Sequence, residues 1–133
     1  LLLQTGHPEE VRNKPASIEV AKFFGKLNLL PAIVRNNLIS SSIGNFPLSL
    51  FPNITDDSNK LLAIRPEGIR LAFKGENHIN ATVKCVDRTE FGWSITASLK
   101  DKTDIQYFQI HGSPPTTNDN VNLALETEHI FLF

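Results

Sequence analysis

Few side chains here are of the types that do chemistry, and their spacing limits what that chemistry could be. His7, His78, His111 and His129 lie too far apart for the close pairs or cysteine-flanked sets that hold zinc, so they read as ordinary surface histidines. Cys85 is the only cysteine, which rules out an intrachain disulfide or a thiolate cluster and fits a reducing compartment. In "INATVKC" it falls in phase with Ile79, Ala81 and Val83, which predicts a buried thiol acting as a small hydrophobe. No Gly-x-x-x-x-Gly-Lys-(Ser/Thr) occurs, so the sequence offers no backbone cradle for a triphosphate. No nucleophile, base and orienting group can be grouped either. No catalytic, metal or cofactor-binding residue is assigned, and the chain itself is expected not to be an enzyme.

Three features remain as candidate sites. In "LLAIRPEGIRL", residues 61–71, an apolar run breaks at Arg65-Pro66-Glu67-Gly68 and resumes with Ile69, Leu71 and Phe73 alternating against Arg70 and Ala72. Pro66 cannot donate to a ladder and pushes Arg65 toward an extended conformation, so the chain must leave one sheet there and begin another. Arg65 and Glu67 could be a functional pair, but a corner salt bridge or capped turn is the favoured reading. Trp93 could stack a ligand, yet it shares its alternation phase with Ile95 and Leu99, which favours the core. In "GNFPLSLFPN", Phe46, Leu48, Leu50 and Phe51 exceed what a strand beside two prolines needs. They predict core with a competing role as a contact surface.

These residues are positioned by short strands. "WSITASL" places Trp93, Ile95, Ala97 and Leu99 on one face, and "VNLALE" does the same with Val121, Leu123 and Leu125. Gly, Pro, Asn and Asp clusters separate the runs, as expected of an antiparallel barrel or sandwich. The first 26 residues differ. Pro8 suits a first helical position with Glu9 and Glu10 at the positive helix end. Ser17 caps a second short helix whose Ile18, Ala21 and Phe24 share a face and which Gly25 stops. The expected organisation is a helical connector over 1–26, a first β unit over 27–64 and a second over 65–133.

Thirteen basic against 14 acidic residues give a net charge of −1, which supplies no field for nucleic acid or an anionic membrane. The longest apolar runs fall short of the roughly 18 to 20 residues of a membrane helix. The chain has no methionine, so it is expected to be a C-terminal portion of something longer.

"QTGHPEEVRNKPASIEVAKFFGKLN" resembles the segment that follows the nucleotide-binding domain in importer-type ABC transporter ATPases. The matching positions are Gln4, Gly6, Pro8, Glu9, Glu10, Pro15, Ala16, Phe24, Gly25 and Asn28. "AIRPEGIRL", through Arg65, Pro66 and Glu67, is similar to the Ile-Arg-Pro-Glu signature of the C-terminal regulatory, TOBE-type domain of the same subunits, and "NVNLALETEHIFLF" to its closing strand. His7, Arg12 and Asn120 depart from the usual threonine, tyrosine and glycine-aspartate, all at surface-type positions.

The resemblance implies a mainly β fold of tandem OB-like antiparallel barrels behind a short helical lead-in, serving as regulatory and dimerisation domain. ATP and magnesium would belong to the nucleotide-binding domain in cis. The implied partners are a second copy and, through the whole subunit, the membrane subunits, on the cytoplasmic side of a prokaryotic inner membrane. For the pairing surface, Phe46, Leu48 and Phe51 are the first choice, and Phe131 and Phe133 the second. The competing function is a free-standing OB-type module for a small ligand or nucleic acid, which the near-neutral charge disfavours. The molybdate-binding Ser-Ala-Arg-Asn-type segment of related domains is absent.

Overall fold

Alternating sequence becomes strand wherever one face can be buried. In the computed structural model, which describes residues 18, 22, 26–52, 54 and 58–133, the described residues form ten strands in two antiparallel sheets. The strands are β1 (Asn28–Arg35), β2 (Leu38–Ser41), β3 (Gly44–Pro47), β4 (Ser58–Ile64), β5 (Ile69–Leu71), β6 (Ile79–Thr89), β7 (Gly92–Ser98), β8 (Asp104–Gln109), β9 (Asn120–Leu125) and β10 (Ile130–Leu132). The first sheet runs β10-β4-β1-β2-β3 and the second β5-β9-β6-β7-β8. Leu30, Leu62 and Ile64 from the first and Ile95, Ile105, Tyr107 and Leu123 from the second belong to one buried cluster.

Turn chemistry fixes the registers. Asn36 and Asn37 both adopt positive φ, 53° and 62°. That is the conformation a two-residue hairpin loop needs to match the strand twist, and asparagine tolerates it. The hairpin pairs Val34 with Ile39 and Arg35 with Leu38.

The corner behaves as its proline dictates. Arg65 is extended at φ −70° and ψ 146°, and Pro66–Gly68 form a single 3-10 turn closed by Gly68 N–H donating to Arg65 O at 2.9 Å. Gly68 is needed there. A Cβ on it would lie 2.5 Å from the His129 Cβ. The chain thus leaves the first sheet at Ile64 and starts the second at Ile69.

Four expectations change. Cys85 is exposed, because β6 carries a bulge between Val83 and Cys85 that shifts its register against β7. One extra residue inverts the alternation, so Val86 takes the inward phase instead. Leu71 and Phe73 are 44% and 71% exposed, since β5 holds only three residues and its alternation meets the core at Ile69 alone. The closing strand β10 does not stay with residues 65–125; it pairs with β4, Ile130 opposite Ile64 and Leu132 opposite Leu62. The helical connector lies almost wholly outside the described residues. Ile18 and Lys22 take helical backbone, but no helical element is described there and the lead-in is not supported.

Candidate functional site

Asn28 from the first sequence block and Arg65 and Pro66 from the second meet at the junction between the sheets. Asn28 opens β1 opposite Ile64, the last residue of β4, and Ile64 is itself opposite Ile130. Arg65 follows at once, its N–H donating to His129 O at 3.2 Å. Its guanidinium lies 5.2 Å from the centre of the Phe131 ring, and the residue is 1% exposed. Arginine reaches such burial only when its charge is well met, and an aromatic face is one such environment. Pro66 is buried beside it and Glu67 is exposed. Asn28, 8% exposed, reaches across to the second sheet and hydrogen-bonds the backbone of Gln106 on β8.

A second polar cluster fastens β5. Arg70 grips both Glu76 oxygens, Nη1 to Oε1 at 2.8 Å and Nη2 to Oε2 at 2.6 Å, while its Nε donates to Glu126 Oε1 at 2.6 Å. The guanidinium also sits 4.7 Å from the Phe73 ring centre, which gives that exposed ring its partner. The Arg70 guanidinium, helped by the Phe73 N–H, pulls the Glu76 carboxyl from its ordinary 4.5 to about 2, and the two carboxylates raise Arg70. A depressed carboxyl pKa contributes stability that is complete above pH 4.5 and is lost as pH falls toward about 2. Glu76→Gln is therefore expected to flatten the acid limb of a stability profile within that window. Parallel profiles for the two proteins would refute the coupling.

At the far end of the second sheet, Phe91, Trp93, Phe108 and Ile110 line an apolar groove of about 340 Å³ with Thr89, Glu90, Gly92 and Gln109. Phe91 and Ile110 are 77% and 66% exposed. Trp93 fits both readings of it in part: it packs against the core cluster, yet it also lines this groove with Arg88 4.9 Å above its ring. Gly92 has φ +157°, and a Cβ there would strike the Gln109 carbonyl, so only glycine lets β7 start so close to the end of β8.

The other candidates stay apart. Gln4, Gly6, Pro8, Glu9, Glu10, Pro15, Ala16, Phe24 and Gly25 lie outside the described residues. Leu48 and Phe131 are buried at 9% and 8%, and Phe46 and Phe51 pack against the core. These side chains thus face their own chain, and Phe133, half-buried, pairs in a tilted arrangement with Phe131. His78 and His111 are exposed and His129 is half-buried. No metal-ligating cluster occurs among the described residues. Cys85 donates to Asp87 at 3.4 Å, and that carboxylate pushes the thiol pKa up, away from nucleophilic character. Asn28 was legible only as a motif position, and no sequence signal told that its partner would be Gln106.

No protein-family model matches the chain. The spermidine/putrescine import ATP-binding protein PotA of Borreliella afzelii is 34% identical over 83 residues, covering 62% of this chain and 24% of the relative. PotA of Aster yellows witches'-broom phytoplasma is 26% identical over 128 residues, 96% of this chain and 28% of the relative. The sulfate/thiosulfate import ATP-binding protein CysA 2 of Chromobacterium violaceum is 34% identical over 93 residues, 70% of this chain and 25% of the relative. The chain thus spans about a quarter of the length of these proteins. Among solved structures, the cytoplasmic molybdate-binding protein ModG, with molybdate bound, superposes with a TM-score of 0.60 at 12% identity, over 79% of this chain and 94% of that one. That likeness is one of fold.

Proposed function

This chain is homologous to the ATP-binding subunits of importer-type ABC transporters, in their C-terminal regulatory, TOBE-type part, and from that premise we propose that it serves as the regulatory domain of such a subunit. The observation that carries the reading is the place of the motif residues. Asn28, Arg65 and Pro66 build the junction between two sheets, while the groups a nucleotide would need, a glycine-rich loop and its lysine, are absent from the sequence. Each sheet is read as an OB-like unit. ATP and magnesium would be handled by a nucleotide-binding domain in cis, and this domain would tune that activity from the cytoplasmic face of the membrane. Pairing with a second copy is part of the proposal, with the partly buried Phe46 and Phe51 and the exposed Leu50 still its first candidate surface.

Two measurements test it. Calorimetric titration of the purified chain with magnesium-ATP is expected to show no binding, and a micromolar Kd would overturn the assignment. In the whole subunit, removing this domain is expected to leave ATP hydrolysis within about twofold while abolishing its response to transport conditions. Loss of hydrolysis itself, or an unchanged response, would contradict a regulatory role. A free-standing binding module is disfavoured by the likeness to import ATP-binding proteins over 96% of the chain.

A further inference from the structure

The side chain of Asn28 stands where a neighbouring strand would stand. β8 is the outer strand of the second sheet, with β7 on one side only. Along an edge, alternate residues turn their N–H and C=O outward with no ladder partner. Gln106 is one of these. Its outward N–H donates to Asn28 Oδ1 at 2.7 Å and its outward carbonyl accepts from Asn28 Nδ2 at 2.9 Å. A carboxamide carries one acceptor and one donor side by side, as a peptide group does, so it can satisfy both outward groups of a single residue. The partners are 78 positions apart in sequence, and Asn28 is 8% exposed. The link continues inward, because the Gln106 side chain donates from Nε2 to Ser94 Oγ on β7 at 2.5 Å.

We propose that Asn28 is a strand-mimicking latch, which fastens the first residue of the first sheet to the open edge of the second. The consequence is mechanical. A displacement of the chain just ahead of β1 is carried through Asn28 to β8, and through Gln106 to β7, instead of being absorbed between the sheets. This device rests on geometry and holds whether or not the domain serves an importer.

Carboxamide chemistry supplies the test. An aspartate at position 28 is acceptor-only when ionised, so its second oxygen would face the Gln106 carbonyl with no proton between them; protonated, it regains one donor and one acceptor. Amide exchange by NMR, expressed as protection factors, therefore separates a latch from ordinary packing. In the native chain Gln106 is expected to be protected although it lies on an edge strand. Asn28→Ala is expected to lower the Gln106 protection factor at least tenfold while Tyr107, whose backbone faces β7, keeps its own. Asn28→Asp is expected to lose Gln106 protection at neutral pH and regain it once the carboxyl is protonated. Equal Gln106 protection in the native and alanine proteins would overturn the latch. So would an equal fall at Gln106 and Tyr107, or an aspartate variant indifferent to pH; the last comparison needs only one folded variant.

Discussion

Arg65→Ala lowers the unfolding free energy by roughly 3 kcal/mol, within the range for truncating a large buried side chain. The residue is 1% exposed and among the largest fully buried side chains, so alanine leaves a cavity against Phe131 and removes the cation–π contact at 5.2 Å. An arginine stem contributes packing as well as charge, and a desolvated cation–π pair can reach about 2 kcal/mol. Arg65→Lys is expected to restore only part of this. Lysine presents a compact point charge where the guanidinium presents a delocalised plane. Urea midpoints at neutral pH measure both variants. A loss below about 1 kcal/mol for alanine would mean that Arg65 is not a structural member of the junction, and the pair of charges in this signature would again need a functional explanation.

How much of the junction could be read beforehand follows from which forces are local. Pro66 acts on its own neighbours, so the break between sheets and the extended Arg65 were legible from four letters of sequence. Alternation is local too, and Ile95 and Ala97 on β7, with Leu99 just after it, lie inward as their spacing demands. Failures arise where a non-local choice overrides the period. The bulge after Val83 depends on how β6 meets β7, and a single inserted residue turns Cys85 outward. Likewise, "EHIFLF" reads as a strand, but not as one that returns to β4 with Phe133 N–H donating to Leu61 O at 2.9 Å. The apolar surplus at Phe46 and Phe51 was open between core and contact surface because apolar bulk alone does not say which chain will cover it. This chain buries Leu48 and part of Phe46 and Phe51, and leaves Leu50 44% exposed. The same limit hid the Asn28 partner, for a hydrogen bond across 78 positions leaves no pattern in one sequence.

The remaining large effect is an alkaline one. Tyr107, at 0% exposure, buries a hydroxyl that has no hydrogen-bond partner among the described residues. Burial pushes its pKa from the ordinary 10 up to about 12, because the tyrosinate charge cannot be solvated in the core. The sign follows from proton binding. The folded state holds this proton more tightly than the unfolded chain, so stability is complete below pH 10, declines as pH rises from 10 to 12, and levels off above. Two pKa units correspond to at most about 2 to 3 kcal/mol. Tyr107→Phe removes both the titration and the desolvated hydroxyl, so it is expected to be neutral or stabilising by about 1 kcal/mol at pH 7 and to lack this alkaline loss. The difference between the two proteins is the quantity to read. Urea midpoints collected from pH 8 to 12 should diverge above pH 10 with the phenylalanine protein the more stable. Curves that stay parallel would show that the hydroxyl keeps its solvation in the folded protein, and a variant destabilised by more than about 1 kcal/mol at pH 7 would show that the hydroxyl holds a hydrogen bond worth keeping.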